Sequence, residues 1–219
     1  MLTYEKHTDV ALLSIDDGKA NAVGYEFMEA VNGGLDRALA EAKAVVIVGR
    51  PGVLSGGFDL QEIRKGLDAA TALVDQGARL MLRLFSHPQP VVIGCSGHAV
   101  AAGAFLLLSS DTRVGVGGDF RIGLNETAIG MTLPIFGLTL ARERLSKRHL
   151  SAAVIQAQMF DPHGARDAGF LDEVVSADDL RARALARASE LAQLPGEAYA
   201  SNKLGARQVA IDTIRASLD

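Results

Sequence analysis

Four short β-rich runs recur along this chain, Val10 to Ile15, Val45 to Val48, Val91 to Gly94 and Val114 to Val116, and longer stretches with helical spacing separate them. That alternation constrains the fold more than any other feature, because strands joined through intervening helices form a parallel sheet covered by those helices. The first connection puts Met28, Val31, Leu35 and Leu39 on one helical face, and the second does the same with Leu73, Leu80, Met81 and Leu84. An Ala/Leu-rich segment ending at Leu108 forms the third. From Phe136 onward the pattern reads almost wholly helical, with Asp178-Asp179 opening a charged helix over 180–194 and Pro195 stopping it. The expected fold is therefore α/β with a helical C-terminal part, divided as an α/β core over 1–175 and a helical region over 176–219.

With 219 residues the chain can bury one substantial core. A net charge of -4 and no dense Lys/Arg run argue against nucleic acid as a partner. No apolar run is long enough to span a bilayer, and the first residues lack the order of a signal peptide, so no membrane partner and a cytoplasmic location are expected. Cys95 is the one cysteine, which excludes an intrachain disulfide and a cysteine-based zinc site, and no metal-ligand cluster is visible.

Two glycine-rich segments follow strands. In Gly49-Arg-Pro-Gly-Val-Leu-Ser-Gly-Gly-Phe-Asp59, Gly56 and Gly57 permit a ligand to approach the turn's N–H groups. Asp59 and Glu62 have the spacing of a capping box. In Gly94-Cys-Ser-Gly-His-Ala-Val-Ala-Ala-Gly-Ala104, the small residues from Ala99 to Ala104 let a helix N-terminus approach a bound group. Two such turns can supply two converging donors, an oxyanion hole for negative charge developing on a carbonyl oxygen. Ser96 is not in a nucleophile elbow, because His98 stands where glycine is required, and Cys95 and His98 read as structural by default.

A third segment, Ile122-Gly-Leu-Asn-Glu-Thr-Ala-Ile-Gly-Met-Thr-Leu-Pro134, sets the carboxylate of Glu126 among Ile122, Leu124, Ala128, Ile129, Met131 and Leu133. A carboxylate in such surroundings faces solvent, is paired, or is kept with a raised pKa that has a use.

Together these pieces resemble the crotonase (enoyl-CoA hydratase/isomerase) superfamily over about Val10 to Val175. Asp17-Gly-Lys-Ala-Asn-Ala22 looks like the family's loop beside the CoA moiety, and Ser55-Gly-Gly-Phe-Asp-Leu60 like its Ser-Ala-Gly-Ala-Asp-Leu turn. Gly97 to Asp111 matches its glycine-rich segment, and Gly164 to Val175 its later Ala-x-x-x-Gly-x-Val signature. Ile122-Gly-Leu-Asn-Glu-Thr and Arg50-Pro-Gly-Val-Leu-Ser are most similar to Δ3,Δ2-enoyl-CoA isomerases of the dodecenoyl-CoA isomerase type.

The resemblance implies a spiral of ββα units of the ClpP/crotonase kind, a homotrimer or dimer of trimers, and no cofactor, since coenzyme A is part of the substrate. It implies an oxyanion hole from the backbone N–H groups of Phe58 and Ala102, with Ala102 in place of the usual glycine, and Glu126 as catalytic base. Lys19, Ala20, Asn21, Ala22, Ser55, Gly56, Gly57, Asp59, Leu60, Phe105 and Asn125 would contact substrate. Asn125 can equally be a turn residue, and Arg50, Lys19, Lys65 and Arg64 can meet CoA phosphates or be ordinary surface cations. Phe105 occupies the position of the hydratases' second glutamate. That favours double-bond isomerisation, which needs one base, over hydration, for which Asp59, Asp119 or Glu143 would have to supply a second carboxylate. A thioester hydrolase or decarboxylase and a catalytically silent acyl-CoA binder are the remaining readings. Phe105, Phe136 and Met131 can line an acyl tunnel or pack in the core.

Overall fold

All four β-rich runs are strands, and alternate residues along them are buried on opposite faces. In this computed structural model, which describes residues 1–218, they lie in one sheet. The chain runs β1 (Leu2–His7), β2 (Val10–Ile15), α1 (Tyr25–Glu41), β3 (Ala44–Gly49), β4 (Gly52–Ser55), α2 (Leu60–Ile63), α3 (Leu67–Phe85), β5 (Val91–Cys95), β6 (Gly97–Val100) and α4 (Ala102–Ser109). It continues with β7 (Thr112–Val116), β8 (Ile122–Gly123), a 3-10 turn (Thr127–Ile129), α5 (Ile135–Arg144), α6 (Lys147–Val154), α7 (Pro162–Ala168), β9 (Glu173–Val175), α8 (Leu180–Leu191) and α9 (Gly196–Ala216). Asp219, the last residue of the expected C-terminal region, lies outside the described residues.

Two sheets result. The larger has order β1-β2-β3-β5-β7-β9, parallel except for the β1–β2 hairpin, and the smaller is parallel with order β4-β6-β8. Three successive units, β3-β4-α2/α3, β5-β6-α4 and β7-β8-α5, each give their first strand to the large sheet and their second to the small one. The expected succession of ββα units with a helical C-terminal part is therefore the architecture observed.

One face of the large sheet presents Ala11, Leu13, Ile15, Val45, Ile47, Val91 and Ile93 to the main core with α1, α3 and α4. The other presents Val10, Leu12, Val46, Val92 and Val114 to Leu180, Ala184 and Ala188 of α8. The charged helix read near the C-terminus thus has an apolar face that covers the sheet. α4 is buried on every side, as its uniformly apolar sequence requires.

Several sequence expectations need correction. β1, β4, β6, β8 and β9 were not legible as strands, and the glycine segments that read as turns contain the small sheet. Leu39 is exposed, and Ala38 closes that face of α1 instead. α8 ends at Leu191, before the turn to Pro195. Among the described residues no helix is long and apolar enough to cross a membrane.

Candidate active site

Pairing β4 with β6 in parallel register, Gly52 with Gly97 and Ser55 with Ala99, brings the two glycine segments side by side at their C-terminal ends. Ligands collect at this end of parallel strands. Close approach depends on missing side chains: a Cβ at Gly103 would lie 2.3 Å from the Ser55 carbonyl oxygen. At Gly57, whose φ is 115°, a Cβ would sit 3.4 Å from the Ala101 Cβ, with the Ala102 nitrogen 4.0 Å away. The two turns are therefore in van der Waals contact.

Each turn presents one N–H. Ala101, with φ 50° and ψ -114°, precedes α4 in a conformation that L-residues adopt only under strain. Its N–H donates to the Gly123 carbonyl at 3.0 Å and its carbonyl accepts from Ala104 at 2.9 Å and Phe105 at 3.0 Å, which leaves Ala102 as the first residue of the helix. Phe58 forms a parallel bridge with Val23, in which Val23 N–H donates to the Gly57 carbonyl at 2.8 Å and Asp59 N–H to the Val23 carbonyl at 3.3 Å. Neither the Phe58 nor the Ala102 N–H has an acceptor among the described residues. The Phe58 ring lies in a notch on α3, where a Cβ at Gly77 would come 2.3 Å from its Cε1.

The third strand of the small sheet carries the carboxylate. β8 pairs with β6, Ala99 with Ile122 and Val100 with Gly123, and Leu124, Asn125 and Glu126 continue from it. Glu126 is 5% exposed, its Oε2 has no hydrogen-bond partner among the described residues, and burial pushes its pKa up from the ordinary 4.5. Glu126 is thus buried rather than solvent-facing, and no cation among the described residues pairs with it. The surroundings differ from expectation, because Ile122 and Leu124 are buried whereas Ala128, Ile129 and Met131 are exposed. Asn125 Oδ1 is also buried without a partner. Phe58, Ala102 and Glu126 thus follow the C-terminal ends of three adjacent strands.

A neighbouring cleft of about 850 Å³, a volume suited to a sizeable ligand, is lined by Lys19, Ala20, Ala22, Gly56, Gly57, Phe58, Asp59 and Leu60. Asn21 and Ser55 stand behind this wall. Asn21, at φ 48°, donates through Nδ2 to the carbonyls of Ile15 at 3.1 Å and Leu54 at 3.2 Å, and its Oδ1 accepts from Asp17 N–H at 3.0 Å. Ser55 Oγ accepts from Gly57 N–H at 3.2 Å. Both side chains are committed to holding the loops. Ala102, Phe105, Asn125 and Glu126 are not on the cleft wall.

Asp16, Asp17, Glu26 and Glu62 also line this cleft, a cluster of carboxylates that the sequence reading missed because no local spacing joins them. Among the cations offered for phosphates, Arg50 donates to the Lys19 carbonyl at 2.6 Å and Lys65 pairs with Glu62 at 2.5 Å. The side chains of Lys19 and Arg64 have no ion-pair partner among the described residues.

Phe105 is buried against Phe136, ring centroids 5.0 Å apart, with Gly137 against its edge, so this pair belongs to the core, and Met131 points outward. Asp59 caps α2 by accepting from Gln61 N–H at 2.8 Å, whereas Glu62 turns to Lys65 and leaves the capping box half made. Asp119 and Glu143 are exposed. Ser96 donates to the Val53 carbonyl at 3.1 Å, His98 Nδ1 accepts from Arg121 N–H at 3.0 Å, and burial raises the Cys95 thiol to about 12. All three residues are structural.

Comparison with known proteins gives concordant matches. The profile of a family described as enoyl-CoA hydratase/isomerase matches residues 5–212. A crystal structure of an enoyl-CoA hydratase/isomerase family protein from Pseudomonas syringae is 46% identical, with a TM-score of 0.97, covering 99% of this chain and 94% of that one. An apo structure described as an enoyl-CoA isomerase from Mycobacterium tuberculosis is 39% identical, with a TM-score of 0.95, covering 100% and 96%. A probable enoyl-CoA hydratase of Bacillus subtilis is 29% identical over 126 residues, 56% of this chain and 48% of its own length. The chain spans about half to two thirds of the first curated relatives it matches.

Proposed function

The chain belongs to the enoyl-CoA hydratase/isomerase family, and from that premise we propose that it converts 3-enoyl-CoA thioesters to 2-enoyl-CoA with Glu126 as the sole acid–base group. The observation that carries this reading is the buried Glu126 carboxylate, with Oε2 unpartnered and an apolar phenylalanine at position 105 where the resemblance puts a hydratase's second glutamate.

In the proposed reaction Glu126 takes a proton from C2, and the released electron pair delocalises into the thioester carbonyl and the C3–C4 double bond. The resulting dienolate oxygen accepts hydrogen bonds from the N–H groups of Phe58 and Ala102. Glu126 returns the proton at C4, the double bond settles between C2 and C3, and the carboxylate is regenerated. Atoms balance without water or a cofactor. Hydration would need a held and deprotonated water, for which a second carboxylate is the usual device.

Hydration is the second reading, favoured by relatives such as the B. subtilis protein, described as a probable hydratase. Incubation with 3-hexenoyl-CoA should yield 2-hexenoyl-CoA, and incubation with 2-hexenoyl-CoA should yield no 3-hydroxyhexanoyl-CoA at an enzymatic rate. Enzymatic hydration would overturn the one-base mechanism. A thiol-release assay on the same substrates should detect no free CoA at an enzymatic rate, and binding of the thioester without turnover would identify a silent binder. Since ionised Glu126 is the active form and burial raises its pKa, kcat/KM should fall on acidification with a midpoint above 4.5.

Phe58 offers a separate test. Gly77→Ala puts a methyl group into the ring's notch and should displace the turn, lowering kcat about 10- to 100-fold. Adding Phe58→Ala removes the clash, keeps the backbone donor, and should restore kcat. An unchanged kcat in Gly77→Ala would show that the notch does not position the donor. A homotrimer or dimer of trimers is proposed from the family resemblance, supported by exposed Leu67, Ile129, Ile135, Ile155 and Val209; light scattering reads the assembly directly.

A further inference from the structure

At the N-terminal ends of β5 and β7, the end of the large sheet opposite the cleft, a second cavity of about 540 Å³ opens between α5, the α8–α9 turn and α9. Its polar wall is Asp111, Arg144, Tyr199, Asn202, Lys203 and Arg207, and its apolar wall includes Leu194 and Pro195. The charges there do not balance. Asp111 is shared between Lys203 at 2.5 Å and Arg207 at 2.9 Å. Asp172, the other nearby carboxylate, is committed to Arg113 through both guanidinium and backbone.

Arg144 is left over. One of its terminal nitrogens donates to the Asp111 carbonyl at 3.1 Å, and its buried Nε has no partner among the described residues. Four cations, Arg113, Arg144, Lys203 and Arg207, therefore face two carboxylates. Burial, together with the neighbouring Arg113 and Arg207, lowers the Arg144 pKa to about 10, and burial lowers that of Lys203 to about 8 despite its contact with Asp111. Unpaired buried cations are costly, and an anion in the cavity would offset that cost.

We propose that this cavity binds a compact oxyanion, a carboxylate or phosphoryl group carried on a small apolar body, with Arg144 as its chief contact. Arg144 lines the cavity, and its terminal nitrogens, one of which already donates to the Asp111 carbonyl, are the donors that a headgroup of either kind would meet there. Pro195, the N-cap of α9, lines the same cavity with Ala198 and Tyr199 of the first turn, which adds the positive end of a 21-residue helix to the field. Nothing in the proposed isomerase chemistry uses this region.

The test is thermal denaturation at constant ionic strength with increasing inorganic phosphate in one series and hexanoate in another. A saturable rise in Tm is expected, and the series with the lower half-saturating concentration identifies the preferred headgroup. Asn202→Glu places a carboxylate on the exposed rim, and Arg144→Met removes the unpaired cation; each should weaken binding at least tenfold. Arg50→Ala, beside the opposite cleft, should leave binding unchanged and so separates this site from any phosphate subsite there. No saturable shift with either anion, or a shift that either Asn202→Glu or Arg144→Met retains, would overturn the proposal.

Discussion

Glu126→Gln is expected to lower turnover of 3-hexenoyl-CoA by about three to four orders of magnitude while raising the stability of the folded protein at neutral pH. The loss follows from the proposed one-base scheme, in which glutamine can neither accept the C2 proton nor deliver one to C4. The gain follows from burial. The folded-state pKa of Glu126 lies above its ordinary 4.5, so through that interval the folded protein binds more protons than the unfolded chain. Stability from this group therefore falls as pH rises through the window, and the deficit persists at neutral pH. A neutral side chain of similar shape removes it. Kinetics and calorimetry on the same variant read both effects. Retained turnover would end Glu126's candidacy as base, and reduced stability at pH 7 would mean that the carboxylate has a partner in solution.

Lys203→Met should have the largest effect on folding. Lys203 Nζ donates to Asp111 at 2.5 Å and to the carbonyls of His87 at 2.7 Å and Gln89 at 2.9 Å, all in a buried setting. Truncation takes the ammonium away from both carbonyls and leaves the Asp111 carboxylate held by Arg207 and by the Val91 N–H at 2.8 Å, and breaking such a pair costs about 3–5 kcal/mol. The surviving Arg207 and Val91 contacts, and the burial that lowers the Lys203 pKa to about 8, place the expected value at the lower end, about 3 kcal/mol, or a fall of roughly 6–12 °C in Tm for a chain of this size. The kcat of the molecules that remain folded should be unchanged, because Lys203 lies at the opposite end of the sheet from the candidate active site. A loss below about 1 kcal/mol in urea denaturation would show that the ion pair contributes little beyond its desolvation cost.

These two residues differ in how far sequence reveals them. Glu126 stands out because a lone carboxylate follows an apolar strand, a contrast visible within thirteen residues. Lys203 looks like any helical lysine until residues 92 and 116 positions away, Asp111 and His87, close around its ammonium group. The same division runs through the fold. Val10 to Ile15 and Val91 to Gly94 are dense in strand-forming side chains and read correctly, whereas β4, β6 and β8 contain small residues and at most four positions each. Such segments become strands because neighbours pair with them, and local propensity carries little of that information.

The candidate site shows the consequence. Gly56, Gly57 and the alanines before α4 mark two turns able to expose N–H groups, and that much is local chemistry. Only the β4–β6–β8 sheet puts those turns in contact and places Glu126 on the adjoining strand end. The family resemblance places Asn21 and Ser55 at the substrate, and only the tertiary structure shows that their side chains also brace the loops behind the cleft. By itself the sequence determined the α/β alternation, the two glycine turns and the isolated carboxylate, because hydrophobic period, glycine freedom and charge isolation are properties of neighbouring residues. Tertiary structure decided the second sheet, the helix covering its larger companion, the direction of each polar side chain and the excess of buried cations, because those depend on contacts between distant segments whose partners no local pattern names.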